Sequence, residues 1–186
     1  VPRDFGRPDV RNGYLPPRYR VHERPADGTW AAVPPVAMLT DVQGEDPCPF
    51  DVELKLAHAG GRLFVHAAVP ETTPAVRDVP ADDPHFWMQD HIEFRLLLDD
   101  GAQAQWILSP DGRVFAGPAA VAAACEARGG ERDGGWTVEL EVDTAGLALA
   151  DVGAGAVLRG QLAYTRWHSD ALQFWCFSST ELGYNQ

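Results

Sequence analysis

The chain has 186 residues, 45% of them hydrophobic, and carries 15 Lys+Arg against 27 Asp+Glu for a formal net charge of −12. That length and apolar content suit one buried core, and the acidic field repels phosphate backbones and anionic lipid, so nucleic acid is not an expected partner. Cys48, Cys125 and Cys176 stand far apart with no CxxC pair, so no zinc knuckle or dithiol motif is written, and no run approaches the roughly 20 apolar residues of a membrane span.

Residues 1–26 are rich in Pro and Arg and without periodicity, and read as an extended arm; VPRDFGRPDV is not a signal peptide, which leaves export open. Residues 27–186 read as one domain that opens on DGTW, Asp27 to Trp30. In DVELKLAHA, Val52, Leu54 and Leu56 share one face and Glu53 and Lys55 the other, and GGR turns the chain into LFVHAAV, which predicts a hairpin. Ile92, Phe94, Leu96 and Leu98 form the apolar face of the next strand, opposite His91, Glu93 and Arg95; Gln103 to Ser109 follows, closed by the turn sequence SPDGR. Residues 118–127, PAAVAAACEA, suit a short helix on propensity but lack a polar face of helical period, and equally suit a strand or an irregular cover. WTVELEVD turns Val138, Leu140 and Val142 inward, and LRGQLAYTRW and LQFWCFS supply the last strands. Many short strands separated by turn signals predict an all-β fold, an antiparallel β-sandwich of jelly-roll-like or immunoglobulin-like two-sheet form.

A nucleophile elbow, a P-loop, a dinucleotide fingerprint and an HExxH zinc helix are all missing, so the sequence does not read as an enzyme. The stretch FWMQDHIEFRLLLDD, Phe86 to Asp100, instead opens on aromatics and a polar pair that neither a turn nor a core strand requires. Sugars present C–H patches on a ring face and hydroxyls around its edge, so their sites combine a flat aromatic with side chains that donate and accept at the rim. Trp87, Gln89, Asp90 and Glu93, then Gln105 and Trp106, and later Trp167, Trp175 and Tyr184 supply those types. Trp87 precedes the first alternating residue and so belongs to a loop at a strand end, where sandwich proteins carry binding groups.

The order W-x-x-D-x-[IV]-E-[IF], here Trp87, Asp90, Ile92, Glu93 and Phe94, followed by Asp99, resembles the central motif of the family 9 carbohydrate-binding modules. DGTW, the hairpin LAHAGGRLFVHAAV, AQWILSPDG and GGWTVELEV are similar to further segments of that family, in the same order over residues 27 to 186. The resemblance implies non-catalytic binding of an oligo- or polysaccharide, by a pyranose clamped between two aromatic rings, in a module of or accessory to polysaccharide degradation. It also implies a structural calcium, an extracellular or periplasmic setting and further domains in a larger chain. By motif, Trp87 matches the first clamp ring, Glu93 the carboxylate that bonds sugar hydroxyls, and Tyr184 in ELGYNQ is the nearest match to the second ring, with Gln89 as an added hydroxyl partner. The sequence departs from the family at Ile107, where a ligand-binding Arg is found, and at Ala163, where a Gln is expected and Gln161 stands close by.

Other readings of these residues compete. Asp90 and Glu93 differ in parity along a strand and so do not flank one glycosidic bond as an acid pair. Asp99 and Asp100, like Asp82 and Asp83, are calcium-ligand candidates or solvated turn residues, and no cofactor is required. Met88 with His91 or His168 is a haem-ligand alternative, as in DOMON-like electron-transfer sandwich domains, and a loop Trp87 that caps the core would fit a structural or interaction module without sugar binding. Spacing leaves a Cys48–Cys125 disulfide open, and Cys176 in LQFWCFS reads as a small buried hydrophobe. Trp30, Trp136, Trp167 and Trp106 read as packing residues, whereas Trp175 alternates against Phe174 and Cys176 and is a reserve platform on the open side of a sheet.

Overall fold

The computed structural model describes residues 19–36, 39–40, 47–149, 157–168 and 171–176. Ten strands are formed there: β1 (His22–Glu23), β2 (Glu53–Ala59), β3 (Arg62–Val69), β4 (His91–Leu97), β5 (Gln103–Leu108), β6 (Val114–Ala116), β7 (Cys125–Arg132), β8 (Gly135–Asp143), β9 (Arg159–His168) and β10 (Ala171–Cys176). They build two five-stranded sheets, in the orders β1-β2-β3-β8-β7 and β10-β9-β4-β5-β6. Every pairing is antiparallel except that of β1 with β2, which attaches part of the N-terminal arm to the sheet edge. This is the two-sheet sandwich that the alternation predicts.

The period-two pattern works as expected where one face is dry. Leu63, Val65, Ala67 and Val69 of β3 and Trp136, Val138, Leu140 and Val142 of β8 point inward, against Ile92, Phe94 and Leu96 of β4, Trp106 of β5, and Leu162 and Tyr164 of β9. Phe94 and Trp106 stack at 5.4 Å in the middle of this core. The β2–β3 hairpin closes through Gly60 and Gly61, both at positive φ, as a two-residue loop with the strands' own twist demands. Over Pro118–Ala127 no helix forms: turns run to Ala123 and β7 begins at Cys125, so the irregular and strand readings divide the segment. Cys48 and Cys125 are free thiols.

Both sheets carry a second, outward layer. On the first, Trp30 lies over Ala57 and Phe64, stacks on His66 at 5.1 Å, and donates from Nε1 to Glu139 Oε1 at 2.6 Å. Lys55 Nζ donates to Trp30 O at 2.9 Å, and the Arg24 guanidinium sits 4.6 Å from the Trp30 ring. Trp30, Trp136 and Trp106 are thus packing residues, as their sequence patterns imply. On the second sheet, the connection from β3 to β4 provides the outward layer and carries the site.

Candidate functional site

The connection between β3 and β4 is long and Phe86 is its one buried apolar side chain, so buried polar groups more than a core fix its path. Gln89 is fully buried; its Nε2 donates to Phe86 O at 2.9 Å and its Oε1 accepts from Arg77 N at 3.0 Å. Asp90 accepts from Ala75 N at 3.1 Å and from Trp167 N at 2.5 Å, tying the loop to itself and to β9. Burial pushes the Asp90 carboxyl above its ordinary value, against the opposing pull of those two backbone donors. His91 Nδ1 donates to Gln89 O at 2.7 Å, and enclosure of its ring lowers its pKa. From the β5–β6 turn, Arg113 donates to Arg77 O at 2.8 Å and to Val79 O, pairs with Asp111 at 2.7 Å, and lays its guanidinium over the Phe86 ring. Phe86 in turn stacks on Phe115 of β6 at 6.4 Å.

These anchors explain the opening of FWMQDHIEF. Phe86, Gln89 and Asp90 turn inward and hold the loop, and Trp87 is left on the surface, 38% exposed. Its only ring neighbour among the described residues is Trp167, at 5.9 Å and 68°, edge to face; Arg77 lies 5.2 Å from that second indole. The two indoles make a corner, too close for a sugar ring to enter between them. Trp167 therefore belongs with Trp87 rather than with hairpin packing, and its place on β9, two residues beyond the residue paired with His91, is the signal sequence parity alone did not rank.

The other sequence candidates fall differently. Gln89 is corrected: its amide is spent on backbone, so it is an anchor of the loop and not a hydroxyl partner. Trp175 is corrected too: register pairs it with Tyr164, whose ring it stacks on at 5.8 Å, and at 8% exposure it belongs to the core. Tyr184 and the side chain of His168 lie outside the described residues. Asp99 and Asp100 are exposed, and Asp100 Oδ1 accepts from Ala102 N at 2.9 Å as a turn residue does; among the described residues no cluster of three or more His, Cys, Asp or Glu is placed to hold a metal.

Glu93 shares the outward face of β4 with His91 and Arg95, as its parity requires, yet it is 1% exposed. Its Oε1 accepts from Arg95 Nε at 2.5 Å and from Gln105 Nε2, while Oε2 is buried with no partner among the described residues. Arg95 and Gln105 hold that carboxylate, and motif matching passed both over; each lies two positions along the same face from a position the motif compares.

No family model matches the chain, and neither does any curated protein. Its fold is similar to that of a family 9 carbohydrate-binding module from Caldicellulosiruptor kristjanssonii, solved in complex with cellotriose. That likeness has a TM-score of 0.56 at 14% identity, covering 86% of this chain and 80% of that one. The same module in complex with glucose gives a TM-score of 0.54 at 13% identity over 86% and 81% of the two chains. A candidate carbohydrate-binding protein from Bacteroides uniformis gives 0.60 at 14% identity, over 86% of this chain and 83% of that chain.

Proposed function

We propose that this protein binds carbohydrate without transforming it, as an exported module of, or accessory to, polysaccharide degradation. The observation that carries the reading is Trp87: a large indole held open to solvent by a loop whose Phe86, Gln89 and Asp90 are all anchored inward. Leaving such a ring exposed forgoes the roughly 1.5–3 kcal/mol that burial of a large apolar side chain yields, and stacking on a sugar's C–H face recovers part of it. Trp87 is the exposed ring of the Trp87–Trp167 pair, and Tyr184 is the proposed second ring of the clamp. The fold's likeness to a module solved with cellotriose and with glucose supports the same reading and sets the first ligands to try. Isothermal titration with glucose and cellooligosaccharides tests it: the protein releases or takes up heat on binding, and Trp87→Ala lowers the affinity tenfold or more. Equal binding by that variant would remove the site, and no binding by the parent would remove the function.

A further inference from the structure

The β3–β4 connection carries a cation that the fold around it does not use. The guanidinium groups of Arg20, Arg77, Arg132 and Arg159 find no ionic or hydrogen-bonding partner among the described residues; Arg20, Arg132 and Arg159 are exposed, whereas Arg77 is half-buried. The backbone of Arg77 is fixed on both sides, its N donating to Gln89 Oε1 at 3.0 Å and its O accepting from Arg113 at 2.8 Å. The guanidinium then lies 5.2 Å from the Trp167 ring. Such packing engages the flat face of the group, while its N–H donors lie in its plane and point from the rim. The indole therefore orders the fork without consuming it, and a partly desolvated cation keeps its donors for an acceptor.

The surroundings of Arg77 give that acceptor a setting. Asp90 N donates to Ala75 O at 2.8 Å, so the limb of the loop through Val76 and Arg77 runs beside the limb that carries Trp87. Val76 and Trp87, 43% and 38% exposed, are thus open apolar side chains on neighbouring limbs, and Trp167 touches both Arg77 and Trp87. The acids around this loop are engaged elsewhere. Glu71 pairs with Arg166 at 2.7 Å, Asp83 with His85 at 3.0 Å and Asp111 with Arg113 at 2.7 Å, and Asp90 takes two backbone donors. Asp78, next in sequence, is exposed and makes no ion pair with Arg77.

An exposed indole beside a cation with free, forked donors suits a ring that bears a carboxylate. We infer that Arg77 determines the specificity of this surface by taking the carboxylate of an acidic saccharide, a uronate ring resting on Trp87. The inference rests on the carbohydrate reading above and names the substrate class of that site. The net charge of −12 opposes anions at a distance, but exposed charges are screened over about 8 Å at physiological salt, and the fork acts at contact.

Titration calorimetry of the whole protein compares three ligands of one length and linkage: cellotriose, the same trisaccharide with its primary alcohols oxidised to carboxylates, and the methyl ester of that acid. The acid binds about tenfold more tightly than cellotriose, as charge-assisted hydrogen bonds allow, and added salt narrows the gap. The ester keeps the ring, loses the charge and binds no better than cellotriose. Arg77→Met keeps a stem to lie on Trp167 and brings acid and ester level. An acid no tighter than its ester in the parent, or a gap between them that survives Arg77→Met, overturns the assignment. The acid–ester comparison in the parent needs no variant, so it decides the matter even where Arg77→Met fails to fold. A parent that binds none of the three ligands overturns the carbohydrate reading instead.

Discussion

Arg113 decides more than its half-exposed position suggests. It bonds two consecutive stretches of the β3–β4 connection through Arg77 O and Val79 O, and covers Phe86. Replacing it by Met keeps the stem and strands both carbonyls, so Arg113→Met should cost about 1–3 kcal/mol, read as a lower denaturation midpoint with an unchanged slope in urea. The same variant should weaken saccharide binding without touching ligand, because the Trp87 loop loses its brace. At this scale the sequence was partly legible. An indole just before an alternating run announced itself as a loop residue, and Glu93 took its expected face. Gln89 and Trp175 misled for one physical reason: parity sorts residues into two faces but does not say which face is dry, nor which amide is consumed by backbone. Only register, Trp175 opposite Tyr164, settles that.

Strands with one dry face were readable, and β2, β3, β4, β5, β8, β9 and β10 lie within a residue of the segments that alternation marks out. β6 and β7 were not. In CEARGGER the inward positions run Cys125, Ala127, Gly129, shrinking to no side chain at all, so no apolar period survives. The cause is a close crossing between the sheets: a Cβ at Gly129 would lie 2.6 Å from Gly112 N and 2.8 Å from Pro110 O, both backbone in the β5–β6 turn of the other sheet. Gly129→Ala should therefore destabilise by about 1–3 kcal/mol, since backbone cannot step aside as a flexible side chain does. Gly130→Ala meets nothing within 4 Å and should stay within about 0.5 kcal/mol of the parent. Thermal unfolding of the two variants side by side checks the contrast, and equal midpoints would mean the sheets do not meet there.

The molecule as a whole is a sandwich whose outward faces are each overlaid, one by the Trp30 segment and the other by the β3–β4 connection, and a histidine lies under each cover. His66 stacks beneath Trp30, where burial lowers its pKa despite Glu139 and Glu53 nearby and with Lys55 adding to the effect. His91 is enclosed beneath the second cover, lowered by burial first, with Glu93 opposing and Arg95 reinforcing. Both rings are therefore held neutral in the folded state at a pH where the unfolded chain protonates them, near 6.5. Between that value and the lowered folded values the unfolded chain binds more protons, so stability is complete above about pH 6.5 and declines as the pH falls through it. Each imidazole contributes at most about 1.4 kcal/mol per pH unit to that slope. Urea denaturation at steps from pH 7.5 down to 5.5 should show falling stability in the parent and a flatter profile in His91→Gln, whose amide still donates toward Gln89 O. His66→Gln should flatten it further in the double variant. A parent profile that is level across this range would mean the two rings are not shielded from water, and with them the covers that overlie both sheets.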